Sequence, residues 1–292
     1  APAPPRRPPP AVRRRRGTAT RAALAATRPN FGVMATPAMP WRGLIDGCNL
    51  ICRISPGYEA HLWRDSGQIL TGEPHADMNF AYLGDAREAD WHLRVFDERA
   101  SARGLPMMVF ATAATTRPLA AVAPSLGFAP AGEVPLMVCT EPRTGLTSQP
   151  YVIERICDPG VLSEATPLAA RTFGLPAAAV ARIYNEEALA VPGLDYFIAR
   201  RGGEVWSFVQ TSRIGTQVGV WSMATPPEFQ GQGAGRALLD AVLTHHRQRG
   251  AEAFYLMASS DGQRLYQWAG FQETTRLAAW LKGSSAQLDS PG

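Results

Sequence analysis

Residues 225–236 read Thr-Pro-Pro-Glu-Phe-Gln-Gly-Gln-Gly-Ala-Gly-Arg and place three glycines at alternate positions from Gly231 to Gly235. A strand-like apolar run precedes this stretch, and an amphipathic helix with four apolar residues from Leu238 to Leu243 on one face follows it. Glycine allows close approach of a ligand to the backbone, and the first turn of a helix offers unpaired N–H groups and a partial positive charge. The stretch therefore predicts a strand–loop–helix anion site, most naturally for a phosphate or pyrophosphate.

Two common phosphate-binding patterns do not fit the glycine stretch. No Gly-Lys-Ser/Thr follows, which excludes a P-loop. The glycine spacing also differs from the dinucleotide fingerprint, and no acidic residue ends a following strand about 20 residues further on, since Asp240 lies inside the helix.

The stretch does resemble the acetyl-CoA signature of the GNAT superfamily of N-acyltransferases, Gln/Arg-x-x-Gly-x-Gly/Ala. In this sequence the signature is Gln230-x-x-Gly233-x-Gly235, and it follows a Pro-acid-aromatic step. As in that family, a buried strand, a short helix carrying Tyr266 and a Gly270-Phe271 pair follow downstream. The resemblance covers about residues 150–283.

The resemblance implies an α/β fold with a mixed sheet, built from two tandem GNAT-like units. A Gly-Phe pair follows a strand and a short helix in both parts of the chain, but the first part lacks the glycine loop. The predicted organisation is a disordered Pro/Arg-rich tail over 1–40, a degenerate GNAT-like unit over 41–148, a catalytic N-acetyltransferase domain over 149–283 and a frayed tail over 284–292.

The resemblance also assigns the site. Acetyl-CoA is implied as co-substrate, and Tyr266 as the general acid that protonates the departing CoA thiolate. An ordinary core position is the alternative for Tyr266, and a solvated side chain is the alternative for Arg236. The residues implied to bind acetyl-CoA are Met223, Ala224, Thr225, Gln230, Gly231, Gln232, Gly233, Ala234, Gly235 and Arg236.

The sequence does not identify a general base. The strand before the loop has no acid, and Glu186, Glu187 and Glu204 are candidates that fit solvated surface charges better. Met78, Phe80 and Tyr82 alternate in a strand-like run and would share one face. We expect this face to pack in the core rather than to line the acceptor site.

The function implied is transfer of an acetyl group to a primary amine of a small molecule or peptide, by direct attack in a ternary complex. A non-catalytic acyl-CoA-binding sensor or interaction module is the alternative, because no base is evident. The acceptor, the acyl chain length and the oligomeric state stay open.

Composition narrows the class of protein. Of the 29 basic residues in the 292-residue chain, eight lie in 1–40, which leaves 21 basic against 25 acidic residues in the rest. The remainder is therefore net acidic, and nucleic-acid binding is not indicated. Four cysteines without ligand spacing predict reduced thiols and no metal site. No long apolar run is present, so a cytoplasmic protein without a membrane span is expected, with Met34 as a candidate native start.

Overall fold

The computed structural model describes residues 41–145 and 150–283. The predicted tails 1–40 and 284–292, Met34 and the predicted boundary at 148 lie outside these ranges, and the division into two units stays a prediction. The described chain contains a mixed sheet and eight α-helices. The strands are β1 (Glu59–Leu62), β2 (Ser66–Leu70), β3 (Asn79–Leu83), β4 (Met107–Ala111), β5 (Ala129–Cys139), β6 (Val152–Arg155), β7 (Leu194–Arg201), β8 (Glu204–Ile214), β9 (Gln217–Ala224), β10 (Ala253–Met257) and β11 (Gln272–Lys282). The helices are α1 (Trp41–Cys52), α2 (Ala89–Ala102), α3 (Ala113–Val122), α4 (Pro159–Phe173), α5 (Ala177–Ile183), α6 (Glu186–Leu189), α7 (Ala234–Gln248) and α8 (Gln263–Trp268).

The strands form one sheet in the order β1-β2-β3-β4-β11-β5-β10-β9-β8-β7-β6. Two neighbouring pairs, β3–β4 and β9–β10, are parallel, and the other pairs are antiparallel. Each parallel pair is joined by a helix, α2 in the first case and α7 in the second. The α/β class with a mixed sheet is thus confirmed.

Residues 41–145 are called the first half of the described chain, and residues 150–283 the second half. The last strand of each half pairs with a strand of the other half. Strand β5 lies beside β10, with Cys139 opposite Phe254. Strand β11 lies beside β4, with Ala279 opposite Phe110. The two halves therefore complete each other's sheet and share one continuous set of backbone hydrogen bonds.

The two parallel strand pairs differ in how far their backbone pairing extends along the strands. Pairing of β3 with β4 continues to Leu83 and Ala111, the last residues of both strands. Pairing of β9 with β10 ends at Gly219 and Tyr255. The remaining five residues of β9 diverge from β10, so only the second half has a wedge between its parallel strands.

Helix α1 connects the two halves. It packs against β2 of the first half and against β8 and β9 of the second half. The close approach depends on glycine, because a Cβ at Gly47 would lie 2.5 Å from the Tyr255 hydroxyl and 2.6 Å from Ser212 Oγ. The Tyr255 hydroxyl donates to the carbonyl of Gly43 at 2.6 Å. Helix α1 thus belongs to the core of both halves.

Local signals account for most element ends. Asp158 caps α4 by accepting from two backbone N–H groups, and Gly174 ends that helix in the left-handed region. The apolar face predicted for α7 is buried, from Leu238 to Leu243. The N-cap of α8 is Gly262, whose N–H donates to Ser259 Oγ at 3.2 Å. No helix of the described ranges is long and apolar enough to cross a membrane.

Candidate active site

The glycine stretch forms an open loop at the N-terminus of α7. Gly231 and Gly233 have φ of 73° and 92°, values at which a side chain would be strained. Side-chain amides hold the shape: Gln230 donates to the carbonyl of Thr225 at 2.9 Å, and Gln232 to that of Glu228 at 3.2 Å. The Tyr151 hydroxyl donates to the carbonyl of Gln232 at 2.9 Å. The loop is thus fixed by its own polar contacts.

The start of α7 lies close to the end of β9. A Cβ on Gly235 would lie 3.2 Å from Thr225 Oγ1, so glycine permits this contact. The N–H groups of the first helical turn have no acceptor within the helix, and a helix of 15 residues has its partial positive charge here. Arg236 stacks on Trp268, with its guanidinium carbon 4.4 Å from the ring centroid. Backbone amides, more than the Arg236 side chain, therefore make this end suitable for an anion.

A bulge in β9 lies at the mouth of the wedge. Trp221 is opposite Gln210 and Ala224 is opposite Phe208, so β9 carries one residue more than β8 between these pairs. Ser222 lies in the bulge with φ of 51°, which makes it the one non-glycine residue of the described chain with positive φ. Bulges bend a strand and strain of this kind concentrates at functional sites. The bulge explains why β9 leaves β10 at this point.

The wedge continues into a cavity of about 340 Å³. Its lining comes from both halves: α1, β3, β4 and β5 on one side, and α5, the diverging end of β9 and the end of β10 on the other. The volume falls in the range of small-molecule sites. Because residues of both halves line the cavity, neither half alone would enclose it.

Tyr266 lies in the wall of this cavity. Its side chain is 7% exposed and packs edge-on against Phe271, with ring centroids 5.9 Å apart. Burial raises the pKa of Tyr266 above its usual value of 10. The hydroxyl therefore stays protonated at neutral pH and can donate a proton.

The structure brings together only some of the residues predicted for acetyl-CoA. Met223 lines the cavity with Tyr266, whereas Ala224 is buried beside it and its carbonyl accepts from Ser207 at 2.9 Å. Thr225 Oγ1 lies 2.8 Å from the same serine hydroxyl. The stretch from Gln230 to Arg236 lies outside the cavity lining, beyond the end of β9.

The three glutamates considered as bases lie elsewhere. Glu186 and Glu187 are exposed at the start of α6, and Glu204 lines a separate surface hollow. Among the described residues that line the cavity, Asp77 is the one carboxylate. It directly precedes Met78, Phe80 and Tyr82, which also line the cavity, while Tyr82 is fully buried. The face thus packs in the core and lines the cavity, and its part in an acceptor site stays a prediction.

Ser222, Gln210 and Asp77 were not indicated by the sequence. Serine as a residue type does not indicate a positive φ, so the backbone conformation of Ser222 could not be predicted from the sequence. Gln210 is 0% exposed and lies in a strand that would otherwise predict an apolar core. Asp77 lies in the first half of the chain, which lacks the glycine loop and therefore carries no sequence signal for a binding site.

A second group of titratable side chains lies outside the cavity. Asp195, His245 and His246 have ligand atoms within 4.8 Å of one another. Arg155 binds Asp195 at 2.6 Å, and the His246 ring nitrogen lies 2.9 Å from the hydroxyl of Thr211. A cation would have to displace that guanidinium, so the group is best described as a buried polar network.

Comparison with known proteins agrees with this geometry. A family model described as an acetyltransferase (GNAT) domain matches residues 192–273, which include the bulge, the glycine loop and Tyr266. Residues 192–273 belong to the GNAT acetyltransferase family. The chain is also 42% identical over 76 residues to a mycothiol acetyltransferase of Propionibacterium freudenreichii subsp. shermanii. That match covers 25% of this chain and spans about a quarter, 24%, of the relative's length.

Solved structures extend the likeness beyond the GNAT domain. A GCN5-related N-acetyltransferase from Kribbella flavida has a TM-score of 0.60 at 16% identity, over 80% of this chain and 96% of that one. A GCN5-related N-acetyltransferase from Sphaerobacter thermophilus has a TM-score of 0.56 at 18% identity, over 74% of this chain and 76% of that one. At such identities the likeness shows the fold, and the shared fold extends past the GNAT domain into the first half of the chain.

Proposed function

We propose that the protein transfers an acetyl group from acetyl-CoA to a primary amine of a small molecule or peptide, by direct attack in a ternary complex. The observation that carries the proposal is the wedge between β9 and β10, which lies between an amide-rich loop and a cavity with a tyrosine in its wall. The family of residues 192–273 and the relative named as an acetyltransferase support the same chemistry.

The glycine loop suits the pyrophosphate of CoA. Backbone N–H groups from Gly231 to Arg236 belong to a loop or to a first helical turn, where anions are favoured. A Cβ at Gly231 would have no atom within 4 Å, so the surface of the loop is open to a ligand.

The diverging end of β9 suits the pantetheine arm. Beyond Gly219 the edge of β9 that faces β10 is not paired with β10, and Met223 lies on this segment. An extended chain with amide groups can pair with such an edge as an added strand. Met223, Ala224 and Thr225 therefore stay our proposed contacts for this arm.

Tyr266 suits the role of general acid. The nitrogen of a neutral amine forms a bond to the thioester carbonyl carbon, the carbon–sulfur bond breaks, and the sulfur receives the proton of the Tyr266 hydroxyl. Burial raises the pKa of Tyr266, so the hydroxyl is protonated before sulfur departs, but the same shift makes it a weaker acid than a free tyrosine. The ammonium formed by the attack loses its proton to water, and water returns a proton to the Tyr266 phenolate.

A non-catalytic acyl-CoA-binding sensor is the second candidate function. The absence of a carboxylate from the described residues of β9 favours it, because the usual path for the amine proton is not evident. The cytoplasmic location stays a prediction, and the oligomeric state stays open. Neither distinguishes the transferase from the sensor.

The two functions separate in one experiment with the full chain. CoA binding is measured by calorimetry, and release of CoA thiol from acetyl-CoA is followed with a panel of primary amines. Binding with turnover of at least one amine is expected; binding without turnover on the whole panel supports the sensor.

A charge variant of the loop tests where CoA binds. Gln232→Glu places a negative charge beside the proposed pyrophosphate without altering a residue at positive φ. Gln248→Glu makes the same change at the far end of α7, roughly 20 Å away. We expect the first variant to lose at least tenfold in CoA affinity, roughly 1.4 kcal/mol, and the second to match the wild type. Equal affinities would remove the loop from the CoA site.

A further inference from the structure

The residues that line the cavity form a continuous row across the sheet. Tyr82 of β3 lies opposite Phe110 of β4, and Phe110 lies opposite Ala279 of β11. The row continues through Val134 of β5 to the end of β10 and the diverging end of β9. Six strands that neighbour one another in the sheet thus contribute to the lining, and at a spacing of about 4.8 Å they span about 24 Å.

Small side chains lie in the middle of this row. Ala279 of β11 and Ala131 of β5 line the cavity between the aromatic residues of β3 and β4 and the wedge at Tyr266. At the β3 end, the rings of Phe80 and Phe110 stack with centroids 6.5 Å apart. The cavity therefore extends past the two alanines as an elongated space from Tyr266 to Phe80, which we call the channel.

Three helices complete the lining with apolar side chains. Helix α1 contributes Ile51, α4 contributes Phe173, and α5 contributes Val180 and Ile183. None of the described lining residues on these helices is charged. A ligand in the channel is therefore stabilised in proportion to the apolar area that it removes from water.

Polar side chains line the channel near its two ends. Ser222 of β9 and Gln210 of β8 lie beside the wedge, and Asp77 lies before β3 at the opposite end. The stretch between them, from Val134 to Ala279, is apolar. The lining is thus polar where the acetyl group is transferred and apolar directly beyond it, an arrangement that fits a polar group at the end of an apolar chain.

We propose that the acceptor is a primary amine at the end of an extended apolar chain, of the alkylamine class, and that this chain lies in the channel across β10, β5 and β11. The amine lies beside Tyr266, and the chain extends towards Phe80. The acetyl group has one methyl group beyond the thioester carbonyl, so most of the channel is left for the acceptor. This proposal rests on the proposed acetyl transfer and names the substrate class of that same site. It adds no covalent step.

The test uses butylamine, hexylamine, octylamine and decylamine, whose amino groups are almost equally basic. For each amine, kcat/KM is measured from thiol release with acetyl-CoA. We expect kcat/KM to rise at least tenfold from butylamine to octylamine, since each buried CH2 group contributes up to roughly fourfold. The polar amine 2-(2-aminoethoxy)ethanol has as many non-hydrogen atoms as hexylamine and should be at least tenfold poorer. Equal kcat/KM throughout would overturn the proposal while leaving the acetyl transfer in place.

Two adjacent alanines of β11 provide a matched pair of variants. Ala279→Leu adds a side chain to the middle of the channel, whereas Ala278→Leu makes the same change at a residue that packs in the core outside the channel lining. Ala279 lies two strands from β10, about 10 Å, a distance that octylamine spans and butylamine does not.

The measured quantity is the ratio of kcat/KM for octylamine to that for butylamine, because a general loss of active protein cancels in it. We expect Ala279→Leu to lower the ratio at least tenfold and Ala278→Leu to keep it within about twofold of wild type. Ala131→Leu blocks the same part of the channel at a half-buried position and replaces Ala279→Leu if that variant does not fold. An unchanged ratio in the blocked variants would overturn the proposal.

Direct binding separates failure of this proposal from failure of the proposed function. The midpoint of thermal unfolding is measured with CoA and each amine present, which needs no turnover. A rise in midpoint that grows with chain length in the wild type and is lost in Ala131→Leu supports the substrate class even when no thiol is released. If neither the midpoint nor kcat/KM depends on chain length, the substrate class is wrong.

One further arm distinguishes the acceptor from the acyl donor as the source of the chain. Octanoyl-CoA replaces acetyl-CoA, with butylamine as the acceptor. We expect octanoyl-CoA to be no better than acetyl-CoA. A preference for octanoyl-CoA, together with no effect of amine length, would assign the channel to the donor and overturn the proposal.

Discussion

Glu73 and Arg182, 109 positions apart, form an ion pair with two hydrogen bonds, in which both oxygens of the carboxylate are bound. The Glu73 side chain is 7% exposed, whereas that of Arg182 is 46% exposed. Glu73 precedes β3 in the first half, and Arg182 lies on α5 in the second. The pair therefore ties α5, which lines the cavity with Val180 and Ile183, to the segment before β3.

Arg182→Gln should lower the denaturation midpoint of the protein. The change leaves the buried Glu73 carboxylate without its partner, and an unpaired buried charge costs more than an exposed pair contributes. The measurement is urea unfolding followed by fluorescence. Arg171→Gln is the control, because Arg171 and Glu228 form an exposed pair with side chains 61% and 50% accessible. Equal shifts in the two variants would mean that the Glu73 pair contributes no more than a surface contact.

Tyr266→Phe should lower kcat by roughly 100-fold while CoA affinity stays within about twofold of wild type, because only the proton donor is removed. Thiol release and calorimetry measure the two quantities. Tyr255→Phe is the control: it also loses a buried hydroxyl, bonded to the carbonyl of Gly43, but away from the cavity lining. A kcat loss shared by both variants would indicate a general effect of stability and would remove Tyr266 from the chemistry.

Ser222 should tolerate glycine but not valine. Glycine adopts φ of 51° without strain, so Ser222→Gly should change the free energy of unfolding by less than about 1 kcal/mol. A β-branched side chain at positive φ is strongly disfavoured, and Ser222→Val should cost about 2 kcal/mol. Urea unfolding of both variants checks this. If valine proves as stable as glycine, the backbone of the bulge differs from the one described.

Protonation of His246 should lower the free energy of unfolding in mild acid. Burial lowers the pKa of His246 to about 4 from 6.5, although the charge of Asp195 opposes the shift. Because the folded form binds the proton less tightly than the unfolded form, this stability is complete above about pH 6.5 and falls as pH decreases towards about 4. Between about pH 7.5 and 5 the loss from His246 alone is about 2 kcal/mol.

The variant His246→Gln isolates this effect, since glutamine does not titrate and can keep a hydrogen bond to the Thr211 hydroxyl. Urea unfolding at the two pH values should show a smaller loss in the variant than in the wild type. His245, also with a pKa lowered by burial, is less buried, and His245→Gln should change the loss less. An identical pH dependence in wild type and His246→Gln would show that His246 is solvated.

The glycine loop and the elements around it could be predicted from the sequence because their signals are local. Three alternate glycines, a preceding apolar run and a following amphipathic face predict β9, the loop and α7 within one or two residues. Strand β2 gave no such signal, because all five residues of Ser66–Leu70 are buried and two of them are polar. Gln68 is accommodated by donating to the carbonyl of Phe96, a contact that depends on the tertiary fold.

The lining of the cavity was harder to predict for the same reason. Residues of both halves line it together only because strands distant in sequence pair with each other. The bulge at Ser222 depends on a mismatch between β8 and β9 that no residue type signals. What sequence patterns predict here is the cofactor end of the site, and what they miss is the end where the two halves meet.

Strands β5 and β11 each pair with a strand of the other half, and this affects how the chain can fold during synthesis on the ribosome. Strand β4 is complete early, but its partner β11 ends at Lys282 and is made last. Until then one edge of the first half is open, and exposed strand edges promote misassembly. The first half therefore cannot complete its sheet until β11 has emerged, and the cavity closes only after that strand has paired with β4.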